Sequence, residues 1–219
     1  MSEGTKASYI DDVEVDRSMD ALPSADELAE TVENARGRGF DVVVVETPEA
    51  ALDALTSQVP DGASVMTGHS TTLEEVGFMD YLAEADHGWE NRYAEVFGID
   101  DDEARADARR QALTADYFFG SVNAIARTGE LVAADASGSR VGAYPFAAKN
   151  LVLVSGTNKV VPSLEDALTR LEEFAYRLEN ERAQEVYGQG SVVAKQLIFR
   201  NETVPGRTTL VLVEDSLGF

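Results

Sequence analysis

Short apolar runs rich in branched side chains recur along the sequence, and they constrain its fold most strongly. Each run is too short for a buried helix, is apolar on both faces and is bounded by turn or helix-capping residues. Such runs are typical of strands buried in a parallel sheet. The predicted strands are residues 40–45, 63–67, 117–119, 131–134, 151–155, 197–199 and 208–213.

Helical patterns separate these strands. The first helix begins with a capping box formed by Ser24 and Glu27, and it ends near Gly37. The stretch 80–99 is predicted to be irregular, and residues 184–194 carry the weakest structural signal. Alternating strands and helices predict an α/β fold with a mostly parallel sheet, right-handed crossovers and helices on both faces. The predicted helices are residues 24–37, 47–58, 70–76, 100–113 and 163–178.

The first 22 residues are polar and acidic and show little regular patterning. They predict a flexible acidic arm at residues 1–22, ahead of one domain at residues 23–219. No apolar run follows Met1, so we expect neither a signal peptide nor a membrane-spanning segment. The expected location is therefore the cytoplasm.

The chain has 40 acidic and 18 basic residues, which gives a formal net charge of −22. A field this negative repels phosphate backbones and anionic lipids, so nucleic-acid and membrane-surface roles are disfavoured. Only 4 of the basic residues are lysines. The surplus of carboxylates favours adaptation to concentrated salt, where self-repulsion is screened. An ordinary acidic cytosolic protein is the alternative.

The sequence lacks cysteine and contains two histidines, His69 and His87. Disulfides, thiolate zinc sites, cysteine-held iron–sulfur clusters and cysteine nucleophiles are therefore excluded. A multi-histidine metal site is excluded as well, and no flavin or nicotinamide motif is present. We expect no metal site and no cofactor in this chain.

One candidate ligand segment follows the predicted strand at 63–67. Gly68 allows a close approach of the backbone, and Ser70, Thr71 and Thr72 offer hydroxyl groups at the start of a helix. In open parallel sheets, ligands bind beyond the carboxyl ends of the strands. The alternative is a turn followed by ordinary helix capping.

A second candidate segment, residues 117–160, holds two acidic and four basic residues, whereas the rest of the chain is strongly acidic. An anionic small molecule would explain this local positive charge, and structural ion pairs are the alternative. Arg140 can hold a carboxylate with its forked guanidinium group, and Lys159 supplies a point charge. Asp135 is the alternative partner of Arg140, and Asn158 can either donate to a carbonyl or close a turn.

The candidate residues of these segments form two sets. Glu130 and Asp135 are the candidate catalytic acids or bases. The candidate ligand-binding residues are Gly68, Ser70, Thr71, Thr72, Asn123, Arg127, Thr128, Gly129, Gly138, Arg140, Asn158 and Lys159.

Several segments together resemble the LUD domain, the lactate-utilisation family that includes the LutC-type subunits. Residues 120–132, 135–141 and 150–160 agree with its motifs in order and spacing, and residues 68–77 resemble its upstream motif. The ending, residues 207–219, resembles the terminal strand of one LUD subgroup.

The resemblance covers about residues 24–219 and implies a three-layer α/β/α sandwich like that of the sugar-phosphate isomerase and CoA-transferase superfamily. It also implies a part in the oxidation of L-lactate or related 2-hydroxy acids to 2-oxo acids, with iron–sulfur partner subunits carrying the electrons. We expect an accessory subunit that binds a small anionic metabolite, and we expect it to form a homo-oligomer. The alternatives are an independent isomerase-like or CoA-transferase-like enzyme and a metabolite sensor without chemistry.

Two features depart from the family pattern. Arg127 stands where family members usually have Glu, so a catalytic acid at that place is lost, whereas an anion site would gain a cation. Residues 176–196 lack the cysteine cluster that members of the subgroup often carry, and any metal role tied to that cluster is lost with it.

Overall fold

The computed structural model describes residues 5–68 and 70–219, in which helices and strands alternate. His69, which lies inside the first candidate ligand segment, is outside the described residues. The helices are α1 (Ala25–Gly37), α2 (Pro48–Thr56), α3 (Thr71–Glu75), α4 (Phe78–Glu84), α5 (Arg92–Phe97), α6 (Asp102–Ala112), α7 (Ser139–Gly142), α8 (Leu164–Arg170) and α9 (Tyr176–Tyr187). The strands are β1 (Asp41–Val45), β2 (Ser64–Thr67), β3 (Glu90–Asn91), β4 (Tyr117–Gly120), β5 (Ala124–Ala126), β6 (Leu131–Asp135), β7 (Asn150–Gly156), β8 (Val160–Val161), β9 (Lys195–Phe199) and β10 (Thr208–Val213).

The larger sheet has six parallel strands in the order β1, β10, β7, β4, β2, β3. The last long strand, β10, lies between β1 and β7, so that Leu210 stands beside Val42 on one side and Leu153 on the other. These strands are connected through helices, as parallel strands require. The predicted α/β fold with a parallel sheet is confirmed.

Helices cover both faces of this sheet. Successive side chains of a strand point to opposite faces. Leu210 and Leu212 accordingly pack in an apolar cluster with α1 and α6, whereas Val211 and Val213 pack in a second cluster with α2 and α4. Burial on both faces explains why the strands read as continuous apolar runs.

The helix starts follow the signals in the sequence. Ser24 accepts a hydrogen bond from the Glu27 backbone, and the Glu27 side chain accepts one from the Ser24 backbone, which completes the predicted capping box. Pro48 occupies the first turn of α2, where its missing N–H costs nothing. None of the helices within residues 5–68 and 70–219 has the length and apolar composition needed to cross a bilayer.

A second sheet of four strands, ordered β8, β5, β6, β9, packs beside the first and was not predicted. β5 and β6 form an antiparallel hairpin, β9 is antiparallel to β6, and β8 is parallel to β5. The turn of the hairpin contains Gly129, whose φ of +94° is a conformation that favours glycine. The runs at 131–134 and 197–199 are therefore strands, but they belong to this second sheet.

The mixed composition of residues 80–99 predicts an irregular stretch, and this prediction is wrong. More than half of these residues lie in α4 and α5. Val96 of α5 and Leu82 of α4 are buried against the two faces of the large sheet. Tertiary packing stabilises these short helices, which are too short to be stable alone.

Residues 5–22 contact the domain, in contrast to the loose arm that their polarity predicts. Tyr9 is 3% exposed and packs in an apolar cluster with Phe174 and Phe219. The Lys6 ammonium lies 3.0 Å from the Asp20 carboxylate, and both groups are mostly buried. Burial of one aromatic side chain contributes roughly 1.5–3 kcal/mol, which helps to hold the segment in place. Residues 1–4 of the predicted arm lie outside the described residues.

We expect a Ser64→Ala change to raise the pKa of Asp116. In the folded protein, hydrogen bonds from the Ser64 side chain and backbone, together with Lys149, lower this pKa from 3.8 to about 2. The interaction therefore stabilises the fold above pH 3.8, and the stabilisation is lost as the pH falls through about 2. Carbon-13 NMR titration of the Asp116 carboxyl measures the change.

Lys149→Met is the matched control for this titration, because the Lys149 Nζ also lies 3.1 Å from Asp116. The lysine side chain is largely exposed, so its charge is screened and the expected rise in the Asp116 pKa is smaller. A larger rise in Lys149→Met than in Ser64→Ala would contradict this account.

Candidate functional site

Three neighbouring strands of the large sheet, β7, β4 and β2, end at the same edge. Lys159 follows β7, Ser121 follows β4, and Thr72 lies in α3 just after β2. Because parallel strands share one direction, residues far apart in the sequence meet at this edge. The Lys159 Nζ lies 2.9 Å from the Thr72 Oγ1 and 3.2 Å from the Ser121 Oγ.

A small hollow of about 40 Å³, here called the inner pocket, lies over this contact. Asn123, Arg140 and Phe219 complete the walls around Thr72, Ser121 and Lys159. Ser70 and Thr71 also border it, and Ser70 caps α3 by accepting a hydrogen bond from the Leu73 backbone. The volume suits a group the size of a carboxylate or a carbonyl with a methyl substituent.

A larger cleft of about 430 Å³ adjoins the inner pocket and shares Asn123, Arg140 and Glu179 with it. The loop after β6 forms one wall, and α9 with the residues that follow forms the other. Glu179 accepts two hydrogen bonds from Arg182, each 2.8 Å long, so its charge is compensated by a neighbouring cation. The cleft can therefore hold the remainder of a ligand whose terminal group enters the inner pocket.

Lys159 is the most unusual charged group of the site, since its side chain is 1% exposed. Its third hydrogen-bond partner is the Val122 carbonyl oxygen at 3.1 Å. Within the described part of the chain, no carboxylate forms a hydrogen bond or ion pair with it. Burial lowers the pKa of Lys159 well below its usual value, and the nearby Arg170 charge lowers it further.

Tyr144 holds the backbone of Ser121 in place. Its hydroxyl donates to the Ser121 carbonyl oxygen at 2.9 Å and accepts from the Ser121 N–H at 3.1 Å. Burial raises the pKa of Tyr144 to about 12, so the hydroxyl remains a neutral donor. A Cβ at Gly120 would lie 2.0 Å from this hydroxyl oxygen, which explains why a glycine precedes Ser121.

Asp135 and Arg140 lie together on the wall of the cleft. The Asp135 carboxylate accepts a hydrogen bond from the Arg140 backbone at 2.7 Å and another from Ser137 at 3.1 Å. Burial alone would raise the pKa of Asp135, but the Arg140 charge and the backbone hydrogen bonds outweigh it and lower the pKa. Asp135 therefore lines the cleft as a carboxylate, and its hydrogen bonds to the backbone hold the loop after β6 in place. Gly138 lies in the same loop, just before α7.

Gly68 allows the Arg140 side chain to lie directly on the backbone after β2. A Cβ at Gly68 would lie 2.1 Å from the Arg140 Cγ. The Arg140 guanidinium also donates to the Ala134 carbonyl oxygen at 2.9 Å. These contacts hold the Arg140 side chain in place, and Arg140 borders both the inner pocket and the cleft.

Four candidate residues, Arg127, Thr128, Gly129 and Glu130, form the turn between β5 and β6 and lie against α1. Arg127, the first residue of this turn, lies four positions after Asn123 along extended chain, a distance of roughly 13 Å. None of the four borders the cleft or the inner pocket. The two ends of a hairpin strand lie far apart, so the structure does not bring these residues to the others.

Glu130 has structural partners at this turn. Its carboxylate accepts a hydrogen bond from Arg38 at 2.7 Å and another from the Thr128 hydroxyl. Burial alone would raise the pKa of Glu130, but these hydrogen bonds and the charges of Arg38 and Arg200 lower it. Arg127 pairs with Glu27 of α1 at 3.1 Å. Glu130 and Arg127 therefore connect the second sheet to α1 and the residue that follows it.

Asn158 lies beneath the site and joins the two ends of the chain. Its side-chain nitrogen donates to Asp20 at 2.7 Å, and its side-chain oxygen accepts from the Leu217 backbone at 3.1 Å. It is fully buried and does not border either hollow. Its side-chain nitrogen also donates to the Gly218 carbonyl oxygen at 3.4 Å, so its contacts are with distant segments and do not close a local turn.

The candidate list omits four residues that shape the site: Ser121, Tyr144, Glu179 and Arg182. Ser121 has the same signal as Ser70, a hydroxyl just beyond a predicted strand, and could have been found. Glu179 and Arg182 lie three residues apart on α9, which is an ordinary helix-surface pattern. Only the packing of α9 across the strand ends places them at the cleft.

The site offers few ligands for a metal. Across residues 5–68 and 70–219, no group of three or more His, Asp or Glu side chains is arranged to hold an ion. The chain lacks the cysteines that an iron–sulfur cluster needs, so its residues do not fit such a group.

Comparison with known proteins gives one structural relative and one family. The crystal structure of a DUF162 family protein from Deinococcus radiodurans is similar to this chain with a TM-score of 0.53 and 10% sequence identity, covering 88% of this chain and 99% of that one. No curated protein gives a significant match to the sequence. The model of the LUD domain matches residues 28–213, which include both sheets and every strand end that forms the site. The chain therefore belongs to the LUD-domain family.

Proposed function

We propose that this LUD-domain protein binds a small monocarboxylate, L-lactate or its 2-oxo product, in the cleft. The family is associated with lactate utilisation. A carboxylate and one adjacent oxygen-bearing carbon fit the inner pocket by size. The remaining substituent would extend into the cleft.

The charge of the two hollows supports an anionic ligand most directly. Besides the Lys159 amine, their walls contain three arginines, Arg109, Arg140 and Arg182, but only two carboxylates, Asp135 and Glu179. The whole chain has a net charge of −22, so this surface is a local exception. Each carboxylate is already held by an arginine or by backbone donors. A ligand carboxylate can therefore bind with little repulsion from them.

The proposed role is that of an accessory or ligand-binding subunit. Oxidation of a 2-hydroxy acid removes two electrons, and this chain lacks the thiolates of an iron–sulfur cluster. We propose that iron–sulfur subunits accept the electrons, that the protein works in the cytoplasm, and that it associates with further copies of itself. Copurification from the native host tests the partners, and recovery of this chain without any iron–sulfur protein would contradict their part.

Thermal unfolding with added ligands tests the binding proposal. We expect L-lactate and pyruvate to raise the unfolding midpoint in proportion to their occupancy, because a ligand that binds the folded state stabilises it. Lactamide, which has no carboxylate, is the matched control and should have little effect. Equal stabilisation by lactamide and lactate would contradict an anion site.

Salt adaptation forms a separate part of the proposal. Among the basic residues only 4 are lysines, and 40 carboxylates give the chain its negative charge. We expect the unfolding midpoint to rise steadily between low and molar KCl, as screening relieves repulsion between the carboxylates. An unchanged or lower midpoint in molar KCl would contradict the adaptation.

A further inference from the structure

The Lys159 amine lies at the floor of the inner pocket and is surrounded by neutral oxygen atoms. Its distances are 2.9 Å to the Thr72 hydroxyl, 3.2 Å to the Ser121 hydroxyl and 3.1 Å to the Val122 carbonyl oxygen. A binding site that needed only a positive charge could use an exposed cation. Full burial of a lysine beside two hydroxyl groups is an arrangement that suits a reacting amine.

We propose that Lys159 is a nucleophile that forms an imine with the carbonyl carbon of a short 2-oxo acid. This inference rests on the proposed function, because Arg140 would bind the carboxylate of the same molecule. Both residues border the inner pocket, and Arg140 also borders the adjoining cleft. A 2-oxo acid presents a carboxylate and a carbonyl on adjacent carbons, which matches the two groups.

The charges around Lys159 favour the free amine. Burial is the strongest influence that lowers its pKa, followed by the positive charge of Arg170. Lys6 and Arg140 act in the same direction, whereas Glu75 raises the pKa. Glu75 is itself held by the backbone N–H groups of Lys6 and Gly218, each at 2.6 Å. More cations than carboxylates therefore face the amine.

The reaction balances without an oxidant or a reductant. The lone pair of the Lys159 nitrogen attacks the carbonyl carbon, and a C–N bond forms as the carbonyl oxygen takes up a proton. The nitrogen then loses its two protons in turn, the hydroxyl group takes up a second proton and leaves as water, and a C=N bond remains. The hydroxyls of Ser121 and Thr72 lie close enough to relay these protons at the nitrogen. Hydrolysis reverses the sequence and releases the 2-oxo acid.

The size of the inner pocket limits the substrate class. A space of about 40 Å³ accepts a carbonyl with a small substituent, whereas a bulky side chain would have to remain in the cleft. Short 2-oxo acids are therefore expected to react faster than branched or aromatic ones. Pyruvate is the smallest suitable probe.

Borohydride trapping tests the proposal on the full-length protein. The protein is incubated with pyruvate, reduced with sodium borohydride and analysed by intact mass and peptide mapping. We expect one reduced adduct, located on the peptide that contains Lys159. L-Lactate is the matched ligand control, because it has a hydroxyl group in place of the ketone carbonyl and should give no adduct. Lys149 and Lys195 serve as internal controls, since both are exposed lysines.

Lys159→Arg keeps a long side chain that ends in nitrogen but removes the amine nucleophile, and we expect complete loss of the adduct. If this variant does not fold, the peptide map of the wild-type protein still shows whether the adduct lies on Lys159. Pyruvate binding is measured on the same samples by calorimetry. Binding without an adduct at Lys159 would overturn the imine but leave the anion site standing, whereas absence of both would overturn both. Equal labelling of Lys149, Lys159 and Lys195 would also overturn the imine.

Discussion

Asp20→Ala is expected to lower the free energy of unfolding by about 3–5 kcal/mol, the usual cost of removing one partner from a buried ion pair. The Asp20 carboxylate lies 3.0 Å from the Lys6 ammonium and 3.8 Å from the Arg170 guanidinium. Side-chain exposures are 14% for Asp20, 9% for Lys6 and 0% for Arg170. The substitution would leave two buried cations without their anion.

The same carboxylate also links both ends of the chain. It accepts hydrogen bonds from Asn158 at 2.7 Å and from Ser216 at 3.1 Å. Among the described residues the Arg170 NH2 group has no hydrogen-bond partner, and the Asp20 carboxylate at 3.8 Å is the counter-charge paired with it. Loss of Asp20 should therefore release the segment 5–22 and the terminal segment 214–219 together.

Urea denaturation measures this effect, and Asp11→Ala is the matched control. Asp11 also pairs with an arginine, Arg17, at 2.9 Å, but its side chain is 89% exposed. Exposed ion pairs contribute about 0–1 kcal/mol, so the control should unfold almost as the wild type does. Equal losses in the free energy of unfolding for the two substitutions would contradict the claim that burial makes the Asp20 ion pairs more stabilising than the exposed Asp11 pair.

Arg140→Met is expected to weaken the binding of L-lactate and pyruvate by roughly 10-fold to 150-fold. Hydrogen bonds to charged groups contribute roughly 1.5–3 kcal/mol, and each 1.4 kcal/mol corresponds to a factor of ten in Kd. Methionine keeps the aliphatic contact with the backbone at Gly68 but removes the guanidinium group. Isothermal titration calorimetry measures the change in Kd.

Arg127→Met is the matched control for that titration, because Arg127 is also half-buried and lies on the hairpin turn against α1. It does not border either hollow, so binding should be unchanged within error. A larger loss of affinity in Arg127→Met than in Arg140→Met would contradict the location of the site.

Much of the large sheet could be predicted because its signals are local. The run Thr208–Val213 is apolar throughout, since its side chains are buried alternately on both faces. The candidate ligand-binding edge could be predicted too, because Gly68 and Lys159 lie just beyond such runs. The carboxyl ends of parallel strands meet wherever the strands themselves are recognised.

The second sheet could not be predicted in the same way, because it depends on pairing between distant residues. β9 pairs with β6 across about sixty residues of sequence, and no local pattern specifies that partner. This is also why Arg127 and Glu130 were grouped with Arg140. They are neighbours in sequence, but the β5–β6 hairpin carries them to its far end.

The structure of the protein with pyruvate bound tests the central claim most directly. We predict the ligand in the inner pocket, with its carboxylate hydrogen-bonded to Arg140 and its carbonyl carbon beside the Lys159 nitrogen. The contradicting result is a pyruvate that occupies the hairpin turn at Arg127 or another surface while the inner pocket and the cleft hold only water.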